Sequence, residues 1–362
     1  VLVLADATAG DMTITLYTAA GNGGKKIHVM KIDSTANDVT VDPNGSQTIN
    51  GIATVVLTQQ WDCLNLVSDD SNWVSVARVS LSPLDICAGR LTLTSATAVT
   101  TADVTAATTV YWALHKGNRV ALYTGTEWVV MALAELSIAV PATTNTMYDV
   151  FIDYNAGDPV LAVTAWTNDT TRATALTTQN GVLVQTGNTD WRYVGSFRTT
   201  GSSGQTEDSI ARRLVWNYYN RVPRLLRVRE ATDSWTYTTA TWRQANGAAG
   251  NQVDMVIGVA ETLVEIDVVA SGRNATANIA AYVGIGEDST TAPTTGQINM
   301  FGNTQVAGLE NGAFTAALKR YPAVGYHYYA WLEYSVATGT MTWLGDNAGT
   351  LMQSGIHGSM LG

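Results

Sequence analysis

The sequence predicts an all-β protein made of successive antiparallel β modules that end in a jelly-roll-like β-sandwich. Apolar residues and threonine alternate with a period of two over many short stretches. These stretches end at Gly, Asn, Asp or Pro, and several are joined by short glycine-bearing turns. Frequent short strands with such turns are typical of antiparallel sheets and not of βαβ units.

Eight stretches carry the strongest strand pattern. In chain order they are Met12–Tyr17, Leu91–Thr94, Arg119–Tyr123, Trp128–Met131, Tyr148–Ile152, Val253–Ile257, Leu263–Val269 and Tyr326–Val336. The turns at residues 116–118, 124–126 and 337–340 each contain glycine and suit hairpins. The stretch before and the stretch after residues 124–126 are therefore expected to pair directly.

The segment from Thr206 to Val222 supports two interpretations. Its apolar residues recur at helical spacing, Thr206 could cap a helix, and Pro223 would end it. The same segment can form a strand with Leu214, Trp216 and Tyr218 on one face. The residues leave the choice between helix and strand open.

Changes in composition divide the chain into four predicted segments. A turn-rich stretch at residues 79–83 and a loop of small residues at 199–205 suggest boundaries. The segments are an N-terminal β module (1–79), a middle β module (80–200), an arginine-rich connector (201–230) and a C-terminal β-sandwich (231–362). They share no internal repeat, so a solenoid is not expected.

Composition narrows the possible partners. The chain has 362 residues, of which 14% are charged and 46% hydrophobic, and its net charge is −10. An acidic chain is a poor partner for nucleic acid or for anionic membranes, and no stretch approaches the ~20 apolar residues of a membrane span. Charged side chains normally provide the hydrated surface of a monomer. A chain with so few of them is expected to cover part of its surface with further copies, as a homo-oligomer.

Catalytic, cofactor and metal sites are not predicted. Cys63 and Cys87 are expected to be buried thiols, and the four histidines lack the spacing of metal ligands. No nucleophile elbow is present. Glu265 and Asp267 would lie on one strand face about 7 Å apart, which suits a glycosidase pair, but solvent-facing acids on an amphipathic strand look the same. We therefore do not expect an enzyme.

Arginines are concentrated at the predicted connector, in a chain otherwise short of cations. They are Arg212, Arg213, Arg221, Arg224, Arg227 and Arg229. One interpretation is a clamp for an anionic glycan or a lipopolysaccharide phosphate, with Arg224, Arg227 and Arg229 as the candidate contacts. The other, which we favour, pairs the arginines with flanking acids on this chain or a neighbouring subunit. Those acids are Glu207, Asp208, Glu230 and Asp233.

The strand at residues 326–334 carries aromatic side chains on both faces. One face is expected to pack into the sandwich core, and the other to meet a neighbouring subunit or to stack on a sugar ring. The candidate residues for this contact are His327, Tyr329 and Trp331. We favour the subunit contact, since Tyr and Trp are enriched at protein interfaces.

An ordered set of short motifs lies between residues 25 and 73. It reads Lys31-Ile32-Asp33-Ser34, then Asn37-Asp38-Val39-Thr40-Val41, then Thr48-Ile49-Asn50-Gly51, and closes on Leu66-Val67-Ser68-Asp69-Asp70-Ser71-Asn72-Trp73. This order resembles a module repeated in bacteriophage tail-fibre and virion-surface proteins. Residues 89–130, 201–222 and 351–358 are similar to segments common in phage structural proteins.

The resemblance implies a fibre or spike subunit at the virion surface, intertwined as a parallel homotrimer. It further implies contact with other virion proteins through the N-terminal side and host attachment by binding a cell-surface polysaccharide. One alternative is a purely architectural head-fibre, collar or capsid decoration protein. A second is a glycan depolymerase tailspike, although the sequence lacks the long β-helix repeat of many such enzymes. No nucleic acid, membrane insertion or cofactor is expected.

Overall fold

The computed structural model describes residues 1–35, 37–79, 84–300, 302–304, 311–349 and 352–362. Within these residues the chain is all-β, with 33 strands, short 3-10 turns at Asn155–Gly157 and Ala245–Gly247, and no α-helix. The predicted fold class is confirmed.

The strands are short and follow one another closely along the chain. The first twelve are β1 Leu2–Ala5, β2 Met12–Thr15, β3 Lys26–Lys31, β4 Val39–Asp42, β5 Val55–Leu57, β6 Cys63–Ser68, β7 Trp73–Val79, β8 Gly89–Thr92, β9 Val104–Ala107, β10 Thr109–Leu114, β11 Arg119–Tyr123 and β12 Trp128–Ala132. The next ten are β13 Leu136–Ala139, β14 Met147–Asp153, β15 Val160–Ala165, β16 Leu176–Gln179, β17 Val182–Gln185, β18 Asn188–Arg198, β19 Thr206–Asp208, β20 Arg212–Arg213, β21 Val215–Asn217 and β22 Pro223–Arg229. The last eleven are β23 Ser234–Tyr237, β24 Arg243–Gln244, β25 Gln252–Ile257, β26 Val264–Asn274, β27 Ile279–Glu287, β28 Ile298–Met300, β29 Gly302–Thr304, β30 Gly312–Arg320, β31 Gly325–Ser335, β32 Met341–Leu344 and β33 Gly355–Leu361.

The smaller of two compact units comprises residues 1–87 and 119–132. It contains the sheets β1-β3-β6-β7 and β2-β4-β5 and the hairpin β11-β12. Successive strands β1 to β4 alternate between the two sheets, so β1 runs parallel to β3 and β2 parallel to β4. This differs from the expected purely antiparallel pairing, because a chain that crosses between sheets and returns can bring strands alongside in the same direction.

A buried ion pair and a buried tryptophan stabilise the smaller unit. Trp73 has no exposed surface and packs edge-on against Tyr17, with ring centroids 5.3 Å apart. Lys31 is also fully buried and donates to Asp33, which accepts a further hydrogen bond of 2.8 Å from the backbone N–H of Ala7. The motifs that carry the resemblance therefore have structural roles here.

The larger unit comprises residues 88–118 and 133–362. We call its two main sheets the long sheet, with strand order β29-β27-β31-β25-β20-β19-β9, and the C-terminal sheet, with order β22-β33-β26-β30-β28. Alternate residues of both sheets enter one core, which includes Val253, Ile266, Val283, Phe314 and Trp343. The two sheets form the predicted β-sandwich.

Residues 206–222 form the short strands β19, β20 and β21, so the strand interpretation is observed. Leu214 and Trp216 have no exposed surface, and Tyr218 packs against the same core. A helix is not formed because these residues fill sheet positions beside β18 and β25. The two units group the chain differently from the four predicted segments, whose boundaries stay predictions; residues 80–83, beside the first boundary, lie outside the described residues.

Candidate functional site: the arginine cluster and the aromatic strand

Asp208 is the centre of the arginine cluster in the larger unit. One of its carboxylate oxygens accepts from Arg213 at 2.9 Å and the other accepts from Arg224 at 2.6 Å. All three side chains are largely buried, with 8–12% of their surface exposed. Burial, opposed by the Asp208 carboxylate, lowers the pKa of Arg224. Arg224, a candidate glycan contact, is therefore committed to an internal ion pair.

Arg212 bridges two further acids. Its guanidinium donates to Glu207 at 2.9 Å and to Asp254 of β25 at 2.8 Å. Burial opposes charge on Arg212, but the hydrogen bond and the charge of Asp254 outweigh it and raise the pKa of the guanidinium. Two of the four acids expected to pair with the cluster, Glu207 and Asp208, do so in the folded chain.

The other two acids have different partners. Glu230 accepts hydrogen bonds from the side chains of Asn246 and Asn251, and Asp233 accepts one from the backbone N–H of Ala348. These contacts fix loops that surround the sandwich. The hydrogen-bond donors to Glu230 and Asp233 lie 16 to 115 residues away along the chain, so nearness in sequence did not indicate them.

Arg90 belongs to the same cluster, and the sequence analysis did not identify it. It is 3% exposed and donates to three backbone carbonyls, those of Ala98, Asn220 and Gly362. Burial, together with the nearby charge of Arg224, lowers the pKa of Arg90 to about 10. A cavity of about 10 Å³ lies against it, roughly the space of one water molecule. The only sequence signal is a cation within an otherwise apolar strand.

Arg227 and Arg229 differ from the rest of the cluster. Both lie on the solvent side of β22, and neither makes an ion pair with the described part of the chain. Arg227 lines a groove of about 490 Å³ together with Leu225 and Asp103. Of the three candidate arginines, these two are the ones that a partner could reach.

The aromatic strand β31 buries the face that carries the candidate contacts. Tyr329 and Trp331 have no exposed surface, and His327 is 4% exposed. The Tyr329 hydroxyl donates to Glu287, and a ring nitrogen of His327 lies 2.7 Å from Asp288. In this structure these three side chains are core residues, so they are not available to a glycan or to a second subunit.

The opposite face of β31 supplies the accessible aromatic rings. We call Trp242, Tyr282 and Tyr334 the aromatic surface; all three are half-buried. The Tyr334 ring lies 5.3 Å from that of Trp242 and 5.8 Å from that of Tyr282. Directly beneath, the fully buried Glu333 accepts from Arg243 and from the indole N–H of Trp235, so the strand is firmly held.

The acidic pair considered for catalysis lies on the exposed side of the C-terminal sheet. Glu265 forms an ion pair with Lys319 in which both side chains are about half exposed. Glu265 and Asp267 border a depression of about 280 Å³. A carboxylate held by a lysine in water lacks the buried setting that tunes catalytic acids.

The described residues form neither a metal-binding cluster nor a membrane-spanning helix. They contain no group of three or more His, Cys, Asp or Glu side chains placed to hold a metal ion. Within the same residues, no helix has the length and apolar character needed to cross a membrane.

Comparisons with known proteins add little. A scan against protein-family models finds no matching family, and a search of curated proteins finds no match. Among solved structures, a tryptic core variant of Cry1Da from Bacillus thuringiensis matches at 6% identity over 67% of this chain. The chain spans about half of that protein, 49%. The TM-score is 0.16, which is too low to indicate a shared fold.

Proposed function

We propose that the chain is a fibre or spike subunit at the surface of a bacteriophage particle. In this proposal it assembles as a homotrimer, attaches to other virion proteins through its N-terminal side, and binds a host surface glycan. The sequence resemblance supports the virion location, and the all-β architecture is compatible with it.

The observation that carries the proposal is the distribution of charge. At least six of the 20 basic and eight of the 30 acidic side chains are buried within the units. The exterior therefore keeps the low charge content of the composition, while large apolar side chains such as Ile298 and Trp61 remain exposed. Such surfaces are typical of subunits that cover one another.

The aromatic surface is the proposed glycan contact. Its three rings are half-buried, are fixed by neighbouring contacts, and still present edges and faces to solvent. Rigid aromatic rings bury contact area with little loss of conformational entropy, which suits weak binding by each subunit. Assembly of several copies multiplies such weak binding through valency.

The test is retention of the purified chain on immobilised bacterial surface polysaccharides. We expect Trp242→Ala to reduce retention at least tenfold, since loss of one stacking ring, at ~0.5–1.5 kcal/mol, is repeated in every subunit. Tyr321→Ala, which removes an exposed ring outside the aromatic surface, is the matched control. No retention of the assembled protein on any polysaccharide would contradict the adsorption role.

The architectural alternative is favoured by one specific observation. Three candidate glycan contacts, Arg224, Tyr329 and Trp331, are buried inside the larger unit. A head-fibre, collar or decoration protein would need contacts only with other virion proteins. Electron microscopy of particles labelled with an antibody against residues 231–362 distinguishes the two roles, because an adsorption protein must present this region at the tip of an appendage.

A further inference from the structure

We propose that a second copy of this chain docks on the solvent-facing side of the C-terminal sheet, and we call this side the outer face. The inference rests on the homo-oligomer part of the proposed function and identifies the surface through which the copies meet. The outer face consists of Leu225, Arg227, Arg229, Glu265, Asp267, Val269, Ile298, Ala317, Lys319, His357, Ser359 and Leu361.

The outer face exposes four large apolar side chains to solvent. Leu225 is 50% exposed, Val269 44%, Ile298 76% and Leu361 37%. These side chains lie on four different strands, so they spread across the face instead of forming a single spot. Exposed apolar side chains set among charged ones in this way are typical of a protein interface.

Apart from Lys319, which pairs with Glu265, the charges on the outer face are separated by sign. Arg227 and Arg229 lie on the edge strand β22, whereas Glu265 and Asp267 lie on β26, two strands away. Strand register places Arg227 opposite His357, and His357 opposite Asp267, so the three form one row across the sheet. With strands spaced by ~4.8 Å, the basic and acidic ends of this row are about 10 Å apart.

Arg227 and Asp267 have no ion-pair partner in the described part of the chain. A purely anionic partner would meet the acidic strand, and a purely cationic partner would meet the arginines. A second copy of the same face satisfies both, because its β26 can lie over β22 of the first. Arg227 of each copy then faces Asp267 of the next, and apolar residues pack between the rows.

The size of the outer face suits such an interface. Five strands of about seven residues give on the order of 600 Å² by strand spacing and rise. Stable protein interfaces bury roughly 600–1,000 Å² from each partner, so the outer face lies at the lower end of that range. The same complementarity works for a pair of copies and for a ring of three, in which the basic side of each copy meets the acidic side of its neighbour.

The experiment is a charge exchange, read by light scattering of the full chain. Wild type is expected at a multiple of 38.5 kDa, three-fold for the proposed trimer. Arg227→Glu and Asp267→Arg alone should each raise the dissociation constant at least ~10-fold, because like charges then face each other. The double exchange should restore association. Lys116→Glu and Asp158→Lys, which reverse exposed charges elsewhere, should leave the mass unchanged.

Each outcome decides a separate claim. An oligomer unaffected by either single exchange, with all variants folded by circular dichroism, overturns the docking face and leaves the oligomer standing. A dimer that responds to the exchanges supports the face and overturns the trimer. A monomeric wild type overturns both, whereas the adsorption role is decided independently by polysaccharide retention.

Discussion

Replacing Asp208 by asparagine tests whether the arginine cluster is a structural ion-pair network. The substitution keeps the size of the side chain but removes the carboxylate charge shared by Arg213 and Arg224. Both arginines are about 90% buried, and Arg90 lies close to them. After the change, neighbouring buried cations would lack their common counter-ion.

The magnitude follows from the burial of these groups. Removing one partner of a buried ion pair is strongly destabilising, by ~3–5 kcal/mol, because the remaining charge is left uncompensated. For a unit of this size that corresponds to a fall in melting temperature of about 10 °C. A double variant with Arg224→Gln should lose less than the sum of the single losses, since the second change removes a charge that the first left unpaired.

Amide hydrogen exchange in urea is the appropriate assay, because a chain with two compact units does not unfold in a single step. The free energy of opening is measured on peptides from β25 and β26, which report on the larger unit alone. Asp158→Asn, at an exposed position, is the control and should change it by less than ~0.5 kcal/mol. A loss below ~1 kcal/mol for Asp208→Asn would refute the view that this carboxylate neutralises the buried arginines.

Three further predictions concern pH and packing. Burial opposes charge on Asp33, but hydrogen bonds from Lys31, Thr35 and Ala7 outweigh it and lower the pKa of the carboxyl. The resulting stability of the smaller unit is therefore present above about pH 4 and lost as pH falls. Asp33→Asn should flatten the fall in the melting temperature of this unit at acid pH. Burial likewise opposes protonation of His327, but the hydrogen bond that its ring donates to Asp288 prevails and raises the pKa of the imidazole. That stability is present below about pH 6.5 and lost at higher pH, so His327→Asn should abolish the fall in larger-unit stability above about pH 6.5; an unchanged profile contradicts the assignment. Gly258→Ala should destabilise the larger unit by ~1–3 kcal/mol in the same amide-exchange assay, because its Cβ would overlap buried aromatic side chains, whereas Gly250→Ala, with open space around it, should be nearly neutral.

Local pattern accounts for most of the strands that were predicted. The alternation at residues 119–123 and 128–131 predicted a hairpin, and β11 and β12 pair in that way, with Thr124 accepting from and donating to the turn that closes them. Period-two patterning reports burial on one face of a strand, which neighbours in the sequence already determine. At residues 206–222 the pattern suited both a helix and a strand, so contacts with β18 and β25 decided the outcome.

The candidate site was less predictable, and the reason is the distance along the chain between partners. The link between Arg212 and Asp254 depends on the parallel pairing of β20 with β25, which no local pattern indicates. On β31 both faces carry aromatic rings, so the sequence could not distinguish the core face, with Tyr329 and Trp331, from the accessible face that includes Tyr334.

By itself, the sequence determined that this protein is an all-β chain with few charges and with arginines concentrated near acids. Those properties depend on residue type and on short-range alternation. Only the tertiary structure decided which cations are buried, which aromatic face meets solvent, and that Arg227 shares a row with Asp267 across the outer face. These depend on strand pairing over more than a hundred residues, where the free energy of packing the whole sandwich, and not any local preference, selects the neighbours.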